Sequence, residues 1–316
     1  MEELISGAND GIPVEIPPVK VKELLNWIFA NFPAEERNGM VGDTHAKLLR
    51  FATPAPLAIH SRGILVAACC GVILPGKVGL LVGIRATQGY EHYQVNLLKQ
   101  FRDRFCRHGI HYQQIALPLP EDEVLADCLL KASWQRLTEI THLWRPVDPN
   151  LEMSLTGDDM TASFVHANSR SFEDVSAIVQ RTFDGTLDCP KLNDLRPFSD
   201  VFQGFLNERS FEEPNLPWYL LMDEMDQPLG CLLLEPHDSG AVEIAYMGLH
   251  PAARGRRLGF ALIAKTLSFA RKTNAHLVVT AADVNNTPAM TIYQQAGFEE
   301  HRRLSVWAYS SEFETK

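Results

Sequence analysis

Val21, Leu24, Leu25, Ile28, Phe29 and Phe32 recur at the spacing of one helical face, and Pro33 closes the run. That pattern predicts an amphipathic helix. From Ala58 to Arg85 the period shortens into apolar runs broken at Ser61-Arg62-Gly63 and Pro75-Gly76-Lys77, which predicts three strands. Helical spacing returns over residues 89–107, where Leu97, Leu98, Phe101 and Phe105 share a face. A strand at 112–117, a short helix at 121–132 and a strand at 135–144 follow.

The same succession then begins again. A polar stretch with Pro146, Pro149, Asp148, Asp158 and Asp159 reads as a linker. After it come a strand at 163–167 and a helix that Ser171 and Asp174 would start as a capping box. A helical segment before Pro214, a hairpin around Asp226-Gln227-Pro228 and a strand at 241–249 ended by Pro251 are next. The longest helix of this half, at 258–273, turns Phe260, Ile263, Ala264, Leu267 and Ala270 inward. A strand at 276–281, a helix to Ala296 and the last strands complete the chain. An offset of 165 residues pairs Ile84 with Leu249, Leu97 and Leu98 with Leu262 and Ile263, His111 with His276, and Ile115 with Thr280. A repeat of that length implies a duplicated domain. The expected division is residues 1–147, a linker at 148–160, and 161–316.

Composition narrows the class. The chain has 316 residues, 46% hydrophobic and 22% charged, as expected of packed globular domains. Its 29 basic and 39 acidic residues give a net charge of −10. That balance argues against nucleic-acid and anionic-membrane partners and mildly favours cationic substrates. Cys69, Cys70, Cys106, Cys128, Cys189 and Cys231 show no C-x-x-C pair, so reduced thiols and no metal site are expected. Residues 1–20 are acidic without a signal-type apolar run, and the apolar stretch 63–74 falls short of a membrane span. A soluble cytoplasmic protein is the expectation.

The chemistry concentrates in one stretch. The strand ending Met247-Gly248-Leu249 runs through His250-Pro251 into the basic turn Arg254-Gly255-Arg256-Arg257-Leu258-Gly259 and straight into the long helix. Free N–H groups at a helix start beside arginines suit a pyrophosphate. After the next strand comes Asn286-x-x-Ala289-x-x-x-Tyr293-x-x-x-Gly297-Phe298. The two patterns in this order resemble the GNAT superfamily of acyl-CoA-dependent N-acetyltransferases. Arg254 and Gly259 fit that family's [Q/R]-x-x-G-x-[G/A] turn, and Arg257 departs from it at the central glycine. The arrangement is similar to tandem GNAT proteins with one degenerate half, such as the mycothiol synthase group. The N-terminal turn, Arg85-Ala86-Thr87-Gln88-Gly89-Tyr90, lacks the motif.

The resemblance implies two tandem GNAT domains of mixed α/β fold, with acetyl-CoA as cosubstrate and no metal. It implies transfer of an acetyl group to a primary amine, of a small molecule or peptide, by direct attack in a ternary complex. Tyr293 would protonate the leaving sulfur, and Glu243 would be the general base, with Tyr246 and His250 as lesser candidates. The turn residues Arg254 to Gly259 would hold the pyrophosphate, and Met247, Gly248 and Leu249 the pantetheine. Asn286 would cap its helix and touch the cofactor. The other reading is a silent CoA-binding or interaction module, since Arg257 breaks the glycine pattern. The acceptor stays open, as does monomer or homodimer.

Overall fold

The computed structural model describes residues 11–17, 20–51, 56–148, 162–207 and 209–313. The elements of the N-terminal half are β1 (Pro13–Glu15), α1 (Val21–Ile28), α2 (Ala34–Arg50), β2 (Leu57–Ser61), β3 (Ile64–Leu74), β4 (Val78–Ala86), α3 (His92–Arg107), β5 (Tyr112–Pro118), α4 (Glu123–Lys131) and β6 (Gln135–Pro146). Those of the C-terminal half are β7 (Ser163–His166), α5 (Phe172–Thr182), α6 (Phe198–Leu206), β8 (Trp218–Met222), β9 (Pro228–Pro236), β10 (Ala241–Leu249), α7 (Leu258–Lys272), β11 (Leu277–Asp283), α8 (Thr287–Gln295) and β12 (Glu299–Ser310).

Most of the expected linker lies outside the described residues. Two compact units divide instead between Leu137 and Thr138, and Ser305–Lys316 returns to the first unit. Most of β6 therefore belongs to the second unit, where Arg145 and Pro146 pair with Val278 and Leu277. The end of β12 belongs to the first unit, with Trp307 and Tyr309 in its core.

In the first unit, β1 to β4 pair antiparallel in sequence and β4 pairs parallel with β5. Alternate residues face opposite sides, as strand geometry dictates. Ala67 and Cys69 join Leu97, Phe101 and Phe105 of α3, while Ala68 and Cys70 join Leu24, Leu25 and Ile28 of α1. The second unit repeats the plan. Its sheet runs β7-β8-β9-β10-β11-β6, parallel only between β10 and β11. Leu232 and Leu234 of β9 face Leu262, Ile263 and Leu267 of α7, and Cys231 and Leu233 face Val175 and Val179 of α5. Covering on both faces is why β9 reads as one unbroken apolar run.

The repeat extends to an irregularity. Val82 is bulged out of the β4 ladder and Ala245 out of the β10 ladder. In each unit a cysteine then pairs across from a glycine, Cys70 with Gly83 and Cys231 with Gly248. Burial pushes both thiols up to about 12, so they stay protonated. Helix α2 has no counterpart in the apolar pattern, because only Val41 and Thr44 along it are buried.

Two glycines of the first unit separate packing from propensity. A Cβ on Gly71 would lie 2.4 Å from the Phe101 ring and 2.5 Å from the Leu80 carbonyl, whereas one on Gly39 of α2 meets nothing within 4 Å. Gly71→Ala should destabilise the protein by about 1–3 kcal/mol through overpacking. Gly39→Ala should stabilise it by about 0.5–1 kcal/mol through the unfolded chain. Urea unfolding of both variants checks the opposite signs.

Candidate active site

The parallel pair β10/β11 holds together for three residues only, Ala241 to Glu243 against Leu277 to Val279. Past the bulge at Ala245, β10 follows β9 as far as Leu249, while β11 follows β6 to Asp283. The strands part, and the Thr280 hydroxyl donates to the Ile244 carbonyl at 3.1 Å at the apex of the wedge. A bulge bends its strand and sharpens the twist, which opens such a gap.

A cavity of about 230 Å³ opens there, walled by β10 from Ile244 to Leu249, by β11 from Thr280 to Ala282, and by α7 and α8. Of the sequence-predicted residues, Met247, Gly248, Leu249, Arg254, Gly259, Asn286 and Tyr293 line it. Glu243, Gly255, Arg256, Arg257 and Leu258 are not among its lining residues.

Asn286 caps α8, its Oδ1 accepting the Ala289 N–H at 3.3 Å, so capping and cavity lining coexist. Gly248 answers to a protein neighbour: an added Cβ would lie 2.6 Å from Thr182 Oγ1 and 2.7 Å from the Tyr246 hydroxyl. Gly259 lets α7 approach α8, where a Cβ would stand 2.5 Å from Ile292 Cδ1.

The basic turn divides its arginines between two tasks. Arg254 lines the cavity, but its guanidinium donates to three carbonyls, of Leu249 at 3.2 Å, Gly185 at 3.1 Å and Thr182 at 2.9 Å. Arg256 and Arg257 are exposed. Arg257 sits at the start of α7 with φ of +59° and offers no side-chain cap. The departure from glycine thus falls on a left-handed residue, the conformation that glycine alone adopts without cost. Its side chain does not line the cavity, and the first N–H groups of α7 have no side-chain cap.

Tyr293 is buried against Phe298, with ring centroids 5.3 Å apart. Burial pushes its phenol well above the ordinary tyrosine range, opposed by a hydrogen bond with Thr280. The phenol therefore stays protonated. Tyr246 is also held protonated by burial; its hydroxyl lies 2.8 Å from Thr182 Oγ1 and its ring stacks on Phe183. His250 is a turn residue, buried, with Nε2 3.1 Å from the Ile178 carbonyl.

The carboxylates are distributed differently from the sequence expectation. Glu243 lies half-exposed, its Oε2 2.8 Å from His237 Nε2. Asp188, which carried no sequence signal, lines the cavity. Its carboxylate accepts the Asp283 N–H at 2.8 Å, and Asp283 in turn accepts the Cys189 N–H at 3.1 Å and the Thr138 hydroxyl at 2.6 Å. Burial, and then the charge of Asp283, raise the Asp188 carboxyl above the usual range, against the pull of that hydrogen bond.

The corresponding turn of the first unit is built differently. Glu91 Oε1 accepts the Gly89 N–H at 2.9 Å just before α3. Backbone N–H groups of Glu91 and Gly89 hold this carboxylate below its usual range. Gln94, at the 165-residue counterpart of Gly259, is a buried side chain there. A carboxylate beside the turn and a larger side chain at the place of Gly259 distinguish this helix start from that of α7.

Residues 180–298 match the profile of the Acetyltransferase (GNAT) family. The match runs from the end of α5 to the residue before β12. The mycothiol acetyltransferase of Renibacterium salmoninarum is 30% identical over 97 residues, which are 29% of this chain and 29% of that protein. That of Corynebacterium glutamicum strain R is 29% identical over 100 residues, 30% of this chain and 34% of the relative. The matched stretch thus spans about a third or less of these relatives. In fold, the GCN5-related N-acetyltransferase of Sphaerobacter thermophilus superposes with a TM-score of 0.65 at 13% identity, covering 95% of both chains. A tandem GNAT protein from the clavulanic acid biosynthesis pathway gives 0.54 at 16% identity, covering 95% of this chain and 98% of that one. The tandem GNAT fold accounts for the repeated sheet, bulge and helices. Among the described residues no group of three or more His, Cys, Asp or Glu is placed to hold a metal ion, and no helix is long and apolar enough to cross a membrane.

Arg257 gives a direct test of the turn. Arg257→Gly should raise stability by about 0.5–1 kcal/mol, since relief of the left-handed strain outweighs the added unfolded-state freedom. Arg257→Val should lower it. Urea midpoints of the two variants decide this.

Proposed function

We propose that the protein is an N-acetyltransferase that moves an acetyl group from acetyl-CoA to a primary amine of a small molecule or peptide, by direct attack in a ternary complex. The wedge carries this reading: it opens between an uncapped helix start and a buried, protonated tyrosine. The GNAT profile match and the mycothiol acetyltransferase relatives support acyl transfer.

The residues present fit acetyl-CoA. The N–H groups of Leu258 and Gly259, with Gly255, Arg256 and Arg257, form the pyrophosphate turn. The strand end of Met247, Gly248 and Leu249, which has left β11, suits the amides of pantetheine, with Asn286 opposite. Bound there, acetyl-CoA supplies a thioester carbonyl and a thiol leaving group. Tyr293 holds a proton at its Oη for the departing sulfur, because burial makes the phenolate costly.

An alkylamine, with a pKa near ~10.4, arrives as a cation and must lose a proton. Asp188 is the carboxylate inside the cavity, and we assign it to that proton. Its raised affinity for protons brings it nearer to a base's task than an ordinary aspartate. Glu243 stands outside the lining beside Glu235 in the ladder. We assign this pair to attracting the cationic acceptor, in keeping with the net charge of −10.

Thiol release from acetyl-CoA against a panel of amines, peptides and aminoglycosides tests the activity. Tyr293→Phe should lower kcat about 10- to 10³-fold with CoA affinity unchanged. Asp188 accepts the amine proton only once ionised, so wild-type kcat/KM should rise with pH along a limb above the usual carboxylate range. That limb should vanish in Asp188→Asn and persist in Glu243→Gln. A limb abolished by Glu243→Gln and kept by Asp188→Asn would return the base to Glu243.

A further inference from the structure

The segment that follows α5 forms one wall of the cavity through Thr182, Gly185, Leu187 and Asp188. It is fastened at both ends. At its start, Arg254 donates to the carbonyls of Thr182 and Gly185 while also holding the Leu249 carbonyl of β10. At its end, Asp283 of β11 accepts the Cys189 N–H and donates its own N–H to the Asp188 carboxylate. Between these points Thr186 Oγ1 accepts the Asp188 N–H at 3.1 Å. Gly185, with φ of +62°, brings the backbone to where an added Cβ would lie 3.4 Å from Arg254 Nη1. Arg254 itself opens the turn whose following residues lead into α7.

A guanidinium has five donors in a rigid fork, and here the fork is turned onto protein carbonyls. We propose that Arg254 is a positioning residue that ties the pyrophosphate turn to the acceptor wall. Cofactor bound at the turn steadies Arg254, and Arg254 steadies residues 182–189, which present Asp188 to the amine, so the two sites are coupled through it. The proposal rests on the acetyl-CoA reading above. It assigns the ionic part of phosphate binding to Arg256 and Arg257, which are exposed on the same turn. A coupling of this kind changes acceptor affinity by about 5- to 150-fold.

Amide hydrogen exchange of the full chain, with and without CoA, tests it. In the wild type, CoA should slow exchange in residues 182–189. In Arg254→Met, exchange there should be at least about tenfold faster without CoA and no longer respond to it. Acceptor KM should rise about 5- to 150-fold, while CoA Kd from calorimetry changes less than about threefold. Arg254→Gln, whose amide keeps two donors, should fall between wild type and Arg254→Met in both readouts. Arg254→Lys, with no planar fork, should resemble Arg254→Met and serves if Met prevents folding. A tenfold loss of CoA affinity with exchange at 182–189 unchanged would make Arg254 a phosphate ligand and overturn the proposal. A wild type that binds no CoA would defeat the acetyl-CoA reading instead. The exchange comparison without CoA would still decide whether Arg254 fastens the wall.

Discussion

The site depends on the parting of two parallel strands. Backbone N–H and C=O groups are obligate hydrogen-bonding groups, so a strand released from its neighbour inside a sheet must be satisfied in another way. Past Glu243, β10 leaves β11 and keeps only its β9 partner. The bulge at Ala245 turns it aside, and Thr280 closes the apex with a side-chain hydroxyl. The edge left open faces the cavity, and the helix start, Tyr293 and Asp188 are arranged around it. An edge of that kind is complementary to a ligand that carries amides of its own.

Duplication shows which parts of this arrangement belong to the fold and which to the chemistry. The first unit keeps the three-residue parallel pairing, the bulge at Val82 and the glycine after it. At that glycine, however, Ile28 and Phe29 of α1 close in, where Thr182 stands in the second unit. Arg85 donates to the Trp27 carbonyl and lies over the Trp27 ring, 4.6 Å from its centroid. Glu91 turns its carboxylate onto the Gly89 N–H ahead of α3. Apolar packing and an internal anion have taken over positions that the second unit leaves to polar groups.

Much of this was legible in the sequence, for reasons that differ by residue. The helix spacing of Leu262, Ile263 and Leu267 and the unbroken run of β9 reported burial, which is a local pattern with a fixed period. The turn and the Asn286 to Tyr293 stretch were legible because a motif keeps its spacing. Other features were hidden. Asp188 lies in an irregular segment, and its place is set by the Asp283 N–H that its carboxylate accepts, 95 residues away. The motif of the turn points Arg254 to phosphate, while the orientation of its guanidinium is set by carbonyl partners up to 72 residues away, which no motif carries. The crossing of β6 and the end of β12 between units is likewise a matter of strand pairing, which periodicity does not encode.

We place acetyl-CoA binding in the wedge of the C-terminal half and not at the turn of the first unit, where a buried Gln94 stands in place of Gly259. Calorimetric titration of the full chain with CoA tests this most directly. One equivalent should bind per chain, with an affinity that falls as salt is raised, because the phosphates would be held by an exposed basic turn. Two equivalents per chain, or a single one that survives charge reversal of both Arg256 and Arg257 unchanged, would contradict it.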